Sequence, residues 1–163
     1  MLERKKEKTI VIGIGNPILG DDGVGIHTVR RLGELFHVFK GLKVDVVETS
    51  VSGLELVELM EGYGRAILID SIKTKGGRLG SIYKLNVKEL NIGDYPLNIH
   101  LMDIQTALEL GKKIGVDIPE SVSIYAIEIL DNTKFSEDMT PEVKDRLPDL
   151  VHQVFEDIVY HRV

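Results

Sequence analysis

Ile10 to Gly25, IVIGIGNPILGDDGVG, is the stretch whose reading decides the fold. A β-branched apolar run (Ile10, Val11, Ile12, Ile14) ends in Gly15-Asn16-Pro17. The loop that follows delivers two adjacent carboxylates, Asp21 and Asp22, to the start of an expected helix, with Gly20, Gly23 and Gly25 around them. A strand that passes through a tight loop into a helix places that loop at the carboxyl end of a parallel strand, where open α/β sheets put their ligands. Glycines let the backbone turn sharply and approach a ligand closely. Two neighbouring carboxylates repel, and the positive end of a helix dipole offsets only part of that cost. The pair therefore points to a cation nearby.

Outward from this stretch, strand and helix signals alternate. Thr9 to Ile14 reads as a strand, and Val24 to Phe36 as an amphipathic helix with Val29, Leu32, Leu35 and Phe36 along one side. Val44 to Val47 is a second strand, and Leu54 to Met60 a short helix with Leu54, Val57 and Leu59 toward its buried side. Ala66 to Ile69 is wholly apolar and ends in Asp70, the pattern of a central strand buried on both faces. Ser81 to Leu85 is a strand introduced by the glycine-rich turn Gly76-Gly77-Arg78-Leu79-Gly80. Asp103 to Ile114 is helical with Gly115 as its C-terminal cap, and Val122 to Ile129 is a further strand. Thr140-Pro141 reads as an N-cap followed by proline at the first helical position. The last helix ends near Val159, with a kink or restart expected at Pro148.

This βαβ series predicts an α/β fold: one three-layer domain over residues 1–163, with a mainly parallel twisted sheet and helices on both faces. A chain of 163 residues is most simply one domain, and about 70% of its unfolded surface is buried at this size. Residues 1–8 read as an exposed, flexible tail, because Arg4, Lys5, Lys6 and Lys8 are a short basic cluster interrupted by Glu7. The loop from Asn86 to Ile99 is the least regular segment, and its place just before His100 makes it a candidate binding loop.

A net charge of -6 argues against a nucleic-acid partner, which requires a basic face. The absence of cysteine removes disulfides, thiolate nucleophiles and thiolate metal sites, so a metal here must use oxygen and imidazole ligands. It also gives no sign of an oxidising compartment. The apolar run at Ile10 is too short for a signal-peptide core and no run is long enough to span a membrane, so a cytoplasmic location without membrane contact is expected.

Asp22, Asp70 and His100 are the polar residues expected near strand ends. Two carboxylates and an imidazole on the carboxyl edge of a sheet suit a divalent metal with open coordination positions, without choosing among zinc, manganese, iron and nickel. Plainer roles compete: Asp70 as a turn or cap residue, Asp21 as an N-cap, Asp22 as an exposed first-turn acid, His100 as a packing histidine. His27, His37, His152 and His161 lie on or beside helices and read as solvated or snorkelling rings. Ser50, Ser52 and Ser71 read as turn hydroxyls, because none sits in a G-x-S-x-G elbow. Gly13-Ile14-Gly15-Asn16-Pro17-Ile18 lacks the third glycine of the dinucleotide fingerprint, which leaves Glu48 weak as a ribose ligand. These patterns assign no catalytic nucleophile or base.

The segment GIGNPILGDDGVG resembles the N-terminal signature of the nickel–iron hydrogenase maturation endopeptidases. The resemblance continues in order through Ser52-Gly53-Leu54-Glu55-Leu56, AILIDS (Ala66–Ser71), His100, YAIEILDN (Tyr125–Asn132) and FSEDMTPEV (Phe135–Val143). It implies a single α/β domain with a five-stranded sheet. The implied activity is removal of a C-terminal peptide from the nickel-loaded hydrogenase large-subunit precursor; a monomer is expected, though the residues do not fix the oligomeric state. Asp22, Asp70 and His100 are then implied to bind nickel carried by that precursor, with other divalent metals as substitutes. Asp22 is preferred to Asp21 because the family's ligand directly precedes a glycine, here Gly23; Asp21→Asn is accordingly expected to be milder than Asp22→Asn.

Two positions depart from the family pattern: Thr49-Ser50-Val51-Ser52 replaces a Gly-Thr element, and Asn98 stands where a serine often precedes the histidine. Two alternatives compete. One is a non-proteolytic metal- or nucleotide-binding module using the same edge. The other is a peptidyl-tRNA hydrolase, which also opens with a strand and Gly-Asn-Pro but needs a Thr-Arg-His-Asn run where this chain has Leu19-Gly20-Asp21-Asp22.

Overall fold

A computed structural model describes residues 6–89, 101 and 104–160. In chain order the elements are β1 (Thr9–Ile14), a 3-10 turn (Gly20–Gly23), α1 (Val24–Val38), β2 (Val44–Thr49), α2 (Gly53–Leu59) and β3 (Arg65–Ile72). β4 (Ile82–Asn86), a 3-10 turn (Val87–Glu89), α3 (Ile104–Lys113), β5 (Ser121–Glu128) and α4 (Pro141–Tyr160) follow. The strands form one sheet in the order β2-β1-β3-β5-β4. β1, β2, β3 and β5 are mutually parallel, and β4 runs antiparallel to β5. Only residues 73–81 separate β3 from β4, too few for the helical crossover that a parallel neighbour requires. The edge strand is therefore antiparallel.

Strand alternation sorts the core into two halves. Ile10, Ile12, Ile14, Leu68, Ile72 and Ile124 pack with Leu56, Val57 and Met60 of α2 and Ile104 and Leu108 of α3. Val11, Ile67, Ile69 and Ile127 pack with Val29 and Leu32 of α1 and Leu147, Leu150 and Val154 of α4. The sheet thus lies between two helical layers, as the βαβ series predicts. α1 sits close on β1 because Gly13 and Gly25 face each other: a Cβ on Gly13 would come within 2.4 Å of the Gly25 carbonyl oxygen and 2.5 Å of Val29.

The chain leaves β1 through α1 on one face and adds β2; it then leaves β2 through α2 on the other face and adds β3 on the far side of β1. The sheet therefore reverses its winding between β1 and β3. Such a switch point opens a crevice at the carboxyl ends of its two strands.

Two expectations are corrected here. β3 does not end before Asp70: pairing with β5 continues through Asp70↔Ala126, Ser71↔Ile127 and Ile72↔Glu128, whereas pairing with β1 stops at Gly13↔Ile69. Nor does the last helix restart at Pro148; α4 is continuous from Pro141 to Tyr160. Pro148 is exposed, and the buried Val143, Leu147, Leu150, Val151 and Val154 keep helical spacing across it. The missing N–H frees a carbonyl on the solvent side, while packing on the other side holds the helix together.

Of the expected tail, residues 1–5 lie outside the described residues; Lys6 is 3.3 Å from Asp117 and Lys8 3.3 Å from Asp45. Among the described residues no helix is long and apolar enough to cross a membrane.

Candidate active site

The loop after β1 is built to turn back on itself. Gly15 has φ +145°, and a Cβ there would lie 2.0 Å from the carbonyl oxygen of Asp22, so only glycine lets the loop pass this close to its own end. The Asn16 amide donates to Asp22 Oδ2 at 2.9 Å, and the Leu19 amide to the Asn16 carbonyl at 3.1 Å.

The two adjacent acids then part company. Asp21 accepts the Thr140 amide at 2.7 Å and the Thr140 hydroxyl at 2.9 Å. Asp22 faces the strand edge, where the Ser71 hydroxyl donates to its Oδ1 at 3.4 Å. Asp70, next to Ser71, accepts the Ser71 amide at 2.8 Å. Asp21 and Asp22 are each 4% exposed and Asp70 0%, so these are interior acids rather than first-turn surface charges. Asp22 and Asp70 lie on the two segments that flank the β1/β3 switch point.

The third expected ligand, His100, and most of the candidate loop before it lie outside the described residues. Among the described residues no group of three His, Asp or Glu side chains is placed to hold a metal. Two interior carboxylates at one crevice fit the oxygen-donor part of the expected set.

Other polar groups on this edge are engaged differently. The buried Glu128, at the end of β5, accepts the Thr74 amide at 2.6 Å and the Thr74 hydroxyl at 2.8 Å, and so ties down the turn between β3 and β4. Glu48 pairs with Arg30 at 2.8 and 3.0 Å. His27 neither lies in solvent nor snorkels its Nε2 to it, as its helix position led one to expect: it is half-buried, and its Nε2 is buried without a hydrogen-bond partner among the described residues. Burial, reinforced by Arg30 and Arg31, pushes its pKa below the ordinary imidazole value. A cavity of about 360 Å³ lies at the amino end of β5, lined by Val87, Gln105, Leu108, Ile118 and Val122, away from the acids.

Another interior acid, Asp157 on α4, is held on the α1/α4 face by Arg65 (2.7 Å), Lys84 (3.1 Å) and the Tyr125 hydroxyl (2.8 Å). Burial alone would raise its pKa; the Tyr125 bond and the two cations hold it below the ordinary carboxylate value. Burial and the same bond push the Tyr125 phenol up.

Three residues of this site were not among the expected ones. Asn16 sits inside the quoted loop, and Ser71 adjoins Asp70. Thr140, 119 positions from Asp21, carries no local sign of its partner.

A segment of a three-layer α/β domain with paired acids at its switch point is the frame into which the comparisons fit. The family model for hydrogenase maturation proteases, HycI, matches residues 26–157. That match begins after Asp22, so it is carried by the chain from α1 onward and not by the opening glycine-rich stretch. The chain belongs to the hydrogenase maturation protease family and is an endopeptidase, a hydrolase of peptide bonds. It is 26% identical over 157 residues to the coenzyme F420 hydrogenase subunit delta of Methanothermobacter thermautotrophicus, covering 91% of this chain and 93% of that one. It is 21% identical over 155 residues to the hydrogenase expression/formation protein HupD of Thiocapsa roseopersicina, covering 94% and 68%. The structure of the hydrogenase maturating endopeptidase HybD from E. coli superposes with a TM-score of 0.77 at 19% identity, covering 94% and 93%, which shows a shared fold. Membership in this family displaces the peptidyl-tRNA hydrolase and the non-proteolytic module.

Proposed function

We propose that this endopeptidase removes the C-terminal extension of a nickel–iron hydrogenase large-subunit precursor after nickel insertion, and that Asp22, Asp70 and His100 contact the nickel that the precursor carries. The observation that supports this reading most directly is the placement of Asp22 and Asp70, both interior, on either side of the β1/β3 switch point. Two carboxylates held at one edge attract a divalent cation more strongly than either alone. Carboxylate and imidazole donors both suit nickel. A loaded precursor brings a positive charge to these acids and one without its metal does not; the site thereby reads whether insertion has occurred. A bound divalent ion also polarises a carbonyl or lowers the pKa of a water.

The rim suits a polypeptide substrate. Ile18 and Phe135, 47% and 83% exposed, flank the point where the first loop meets the segment after β5. The same reading has the protein acting as a monomer in the cytoplasm, without nucleic acid or membrane.

Intact mass spectrometry of nickel-loaded and nickel-free precursors, each incubated with the protein, tests this. Loss of a C-terminal peptide from the loaded form alone is expected, and its abolition by His100→Ala in a folded variant. Equal cleavage of both forms would remove the metal checkpoint; normal processing by His100→Ala would remove His100 from the ligand set.

A further inference from the structure

We propose that Asp21 is a positioning residue of this site: its two bonds to Thr140 set the rotation of the Gly20–Gly23 turn, and that rotation is what faces Asp22 to the β1/β3 edge. The inference rests on the reading of Asp22 as a nickel contact. In a 3-10 turn there are three residues per turn, so consecutive side chains point about 120° apart and two adjacent acids cannot both face one crevice. Fixing either of them therefore fixes the other. Asp21 is the one the fold fixes, through the Thr140 amide at 2.7 Å and hydroxyl at 2.9 Å.

The surrounding contacts agree with this assignment. Gly20, at φ +57°, donates its amide to the Ser136 carbonyl at 2.7 Å, and the Ser136 amide donates to the Ile18 carbonyl at 2.9 Å. These form a one-residue parallel bridge at Leu19 and Ser136, which anchors the chain immediately before Asp21 to the segment that leads into α4. Asp22 is then held from its other side by the Asn16 amide. Thr140 stands directly before Pro141, the first residue of α4, where a threonine hydroxyl ordinarily caps its own helix. Here that hydroxyl is turned to Asp21 instead, and the positive end of the α4 dipole favours the carboxylate. Helix α4 is thereby used as a fixed support for a loop that begins at the opposite end of the chain.

A simple capping role would lower stability and nothing else; a positioning role must also disturb the turn and the reaction. The test compares Asp21→Ala, Asp21→Asn, Thr140→Val, Thr140→Ser and the double variant Asp21→Ala/Thr140→Val. For each, kcat and KM are measured on nickel-loaded precursor well below its melting temperature, and amide hydrogen exchange is followed over residues 19–23. Asp21→Ala is expected to lower kcat/KM about 10- to 100-fold, the scale of losing a group that orients a metal-contacting residue, and to speed exchange in the turn. Thr140→Val removes one of the two bonds and is expected to cost about threefold to tenfold. Thr140→Ser should restore the wild-type rate. The double variant should be no worse than Asp21→Ala alone, because both changes remove the same contact.

Asp21→Asn keeps an acceptor for the Thr140 amide and a donor for its hydroxyl, so it should lose much less than Asp21→Ala; it carries the test with Thr140→Val if the alanine variant does not fold. An Asp21→Ala protein with a lowered melting temperature but an intact kcat/KM and unchanged exchange would overturn the proposal, as would additive losses in the double variant. Asp22→Asn separates this from the parent reading. Wild-type processing by Asp22→Asn would remove the nickel contact itself, whereas its loss alongside an unaffected Asp21→Ala would remove only the positioning role.

Discussion

Asp22 and Asp157 are almost equally buried, at 4% and 5% exposed, yet they stand in opposite chemical surroundings. Asp157 is held by Arg65, Lys84 and the Tyr125 hydroxyl, with the Lys84 ammonium also 5.5 Å from the centre of the Tyr125 ring. Asp22 accepts an amide and a hydroxyl, and shares its edge of the sheet with Asp70. The difference separates two uses of a buried charge. Breaking a closed cluster leaves its cations stranded, so Asp157 belongs to stability. Acids gathered at a switch point favour an arriving cation, and the proposed nickel contact assigns Asp22 and Asp70 to function on that ground.

The sharpest way to break this contrast is to remove one acid from each region. Asp70→Asn or Asp22→Asn is expected to slow processing of nickel-loaded precursor by at least about 100-fold, the scale of losing one preorganised electrostatic group, while the melting temperature holds or rises. Processing at the wild-type rate would move these acids into the structural class. Asp157→Asn should behave in the opposite way: a loss of about 3 kcal/mol, read as a melting temperature lowered by about 6–12 °C, with kcat unchanged in the folded protein. An unchanged melting temperature would show that the cluster contributes little.

Acid titration sharpens the same comparison. His27 has a lowered pKa in the fold, so the unfolded chain takes up its proton first and stability falls as the pH drops below about 6.5. Melting temperatures measured from pH 7.5 to 5.5 should show this decline, and His27→Gln should flatten it. Asp157, lowered for the opposite reason, contributes stability that is present above about pH 3.8 and is lost only as the pH falls through its folded value. The smallest expected effect is at the rim. Phe135→Ser should raise KM for the precursor about threefold to tenfold, the worth of part of an apolar side chain, and leave the melting temperature in place.

How far the sequence could be read follows from the distance over which each feature is decided. β1, β3 and β5 are inner strands whose apolar runs are buried on both faces, so Ile10 to Ile14 and Ala66 to Ile69 announced themselves locally. The tight loop did too, because the glycines that permit it are adjacent in the chain. Asp22 and Asp70 were identifiable as strand-end acids, but what brings them together is the pairing of β1 with β3 and the stop of that pairing at Ile69, which is a property of the sheet. The restart expected at Pro148 is absent because a proline's local preference was outweighed by buried contacts on the opposite side of α4. His27 misled because the burial of its ring is decided by tertiary packing that helical position alone does not show. The fate of Asp21 was invisible for the plainest reason: its partner is Thr140.

That last contact also has a consequence for how the enzyme comes into being. The bridge between Leu19 and Ser136 and the bonds between Asp21 and Thr140 join the first quarter of the chain to its last. A growing polypeptide folds from its N-terminal side as it is made, and contacts of such long separation form late. The loop carrying both acids is synthesised early, yet its anchors at Ser136 and Thr140 are missing until β5 and the start of α4 have been added. A nascent chain, or one truncated before residue 136, would carry the acids of a protease without being one. Activity is thereby reserved for the completed molecule.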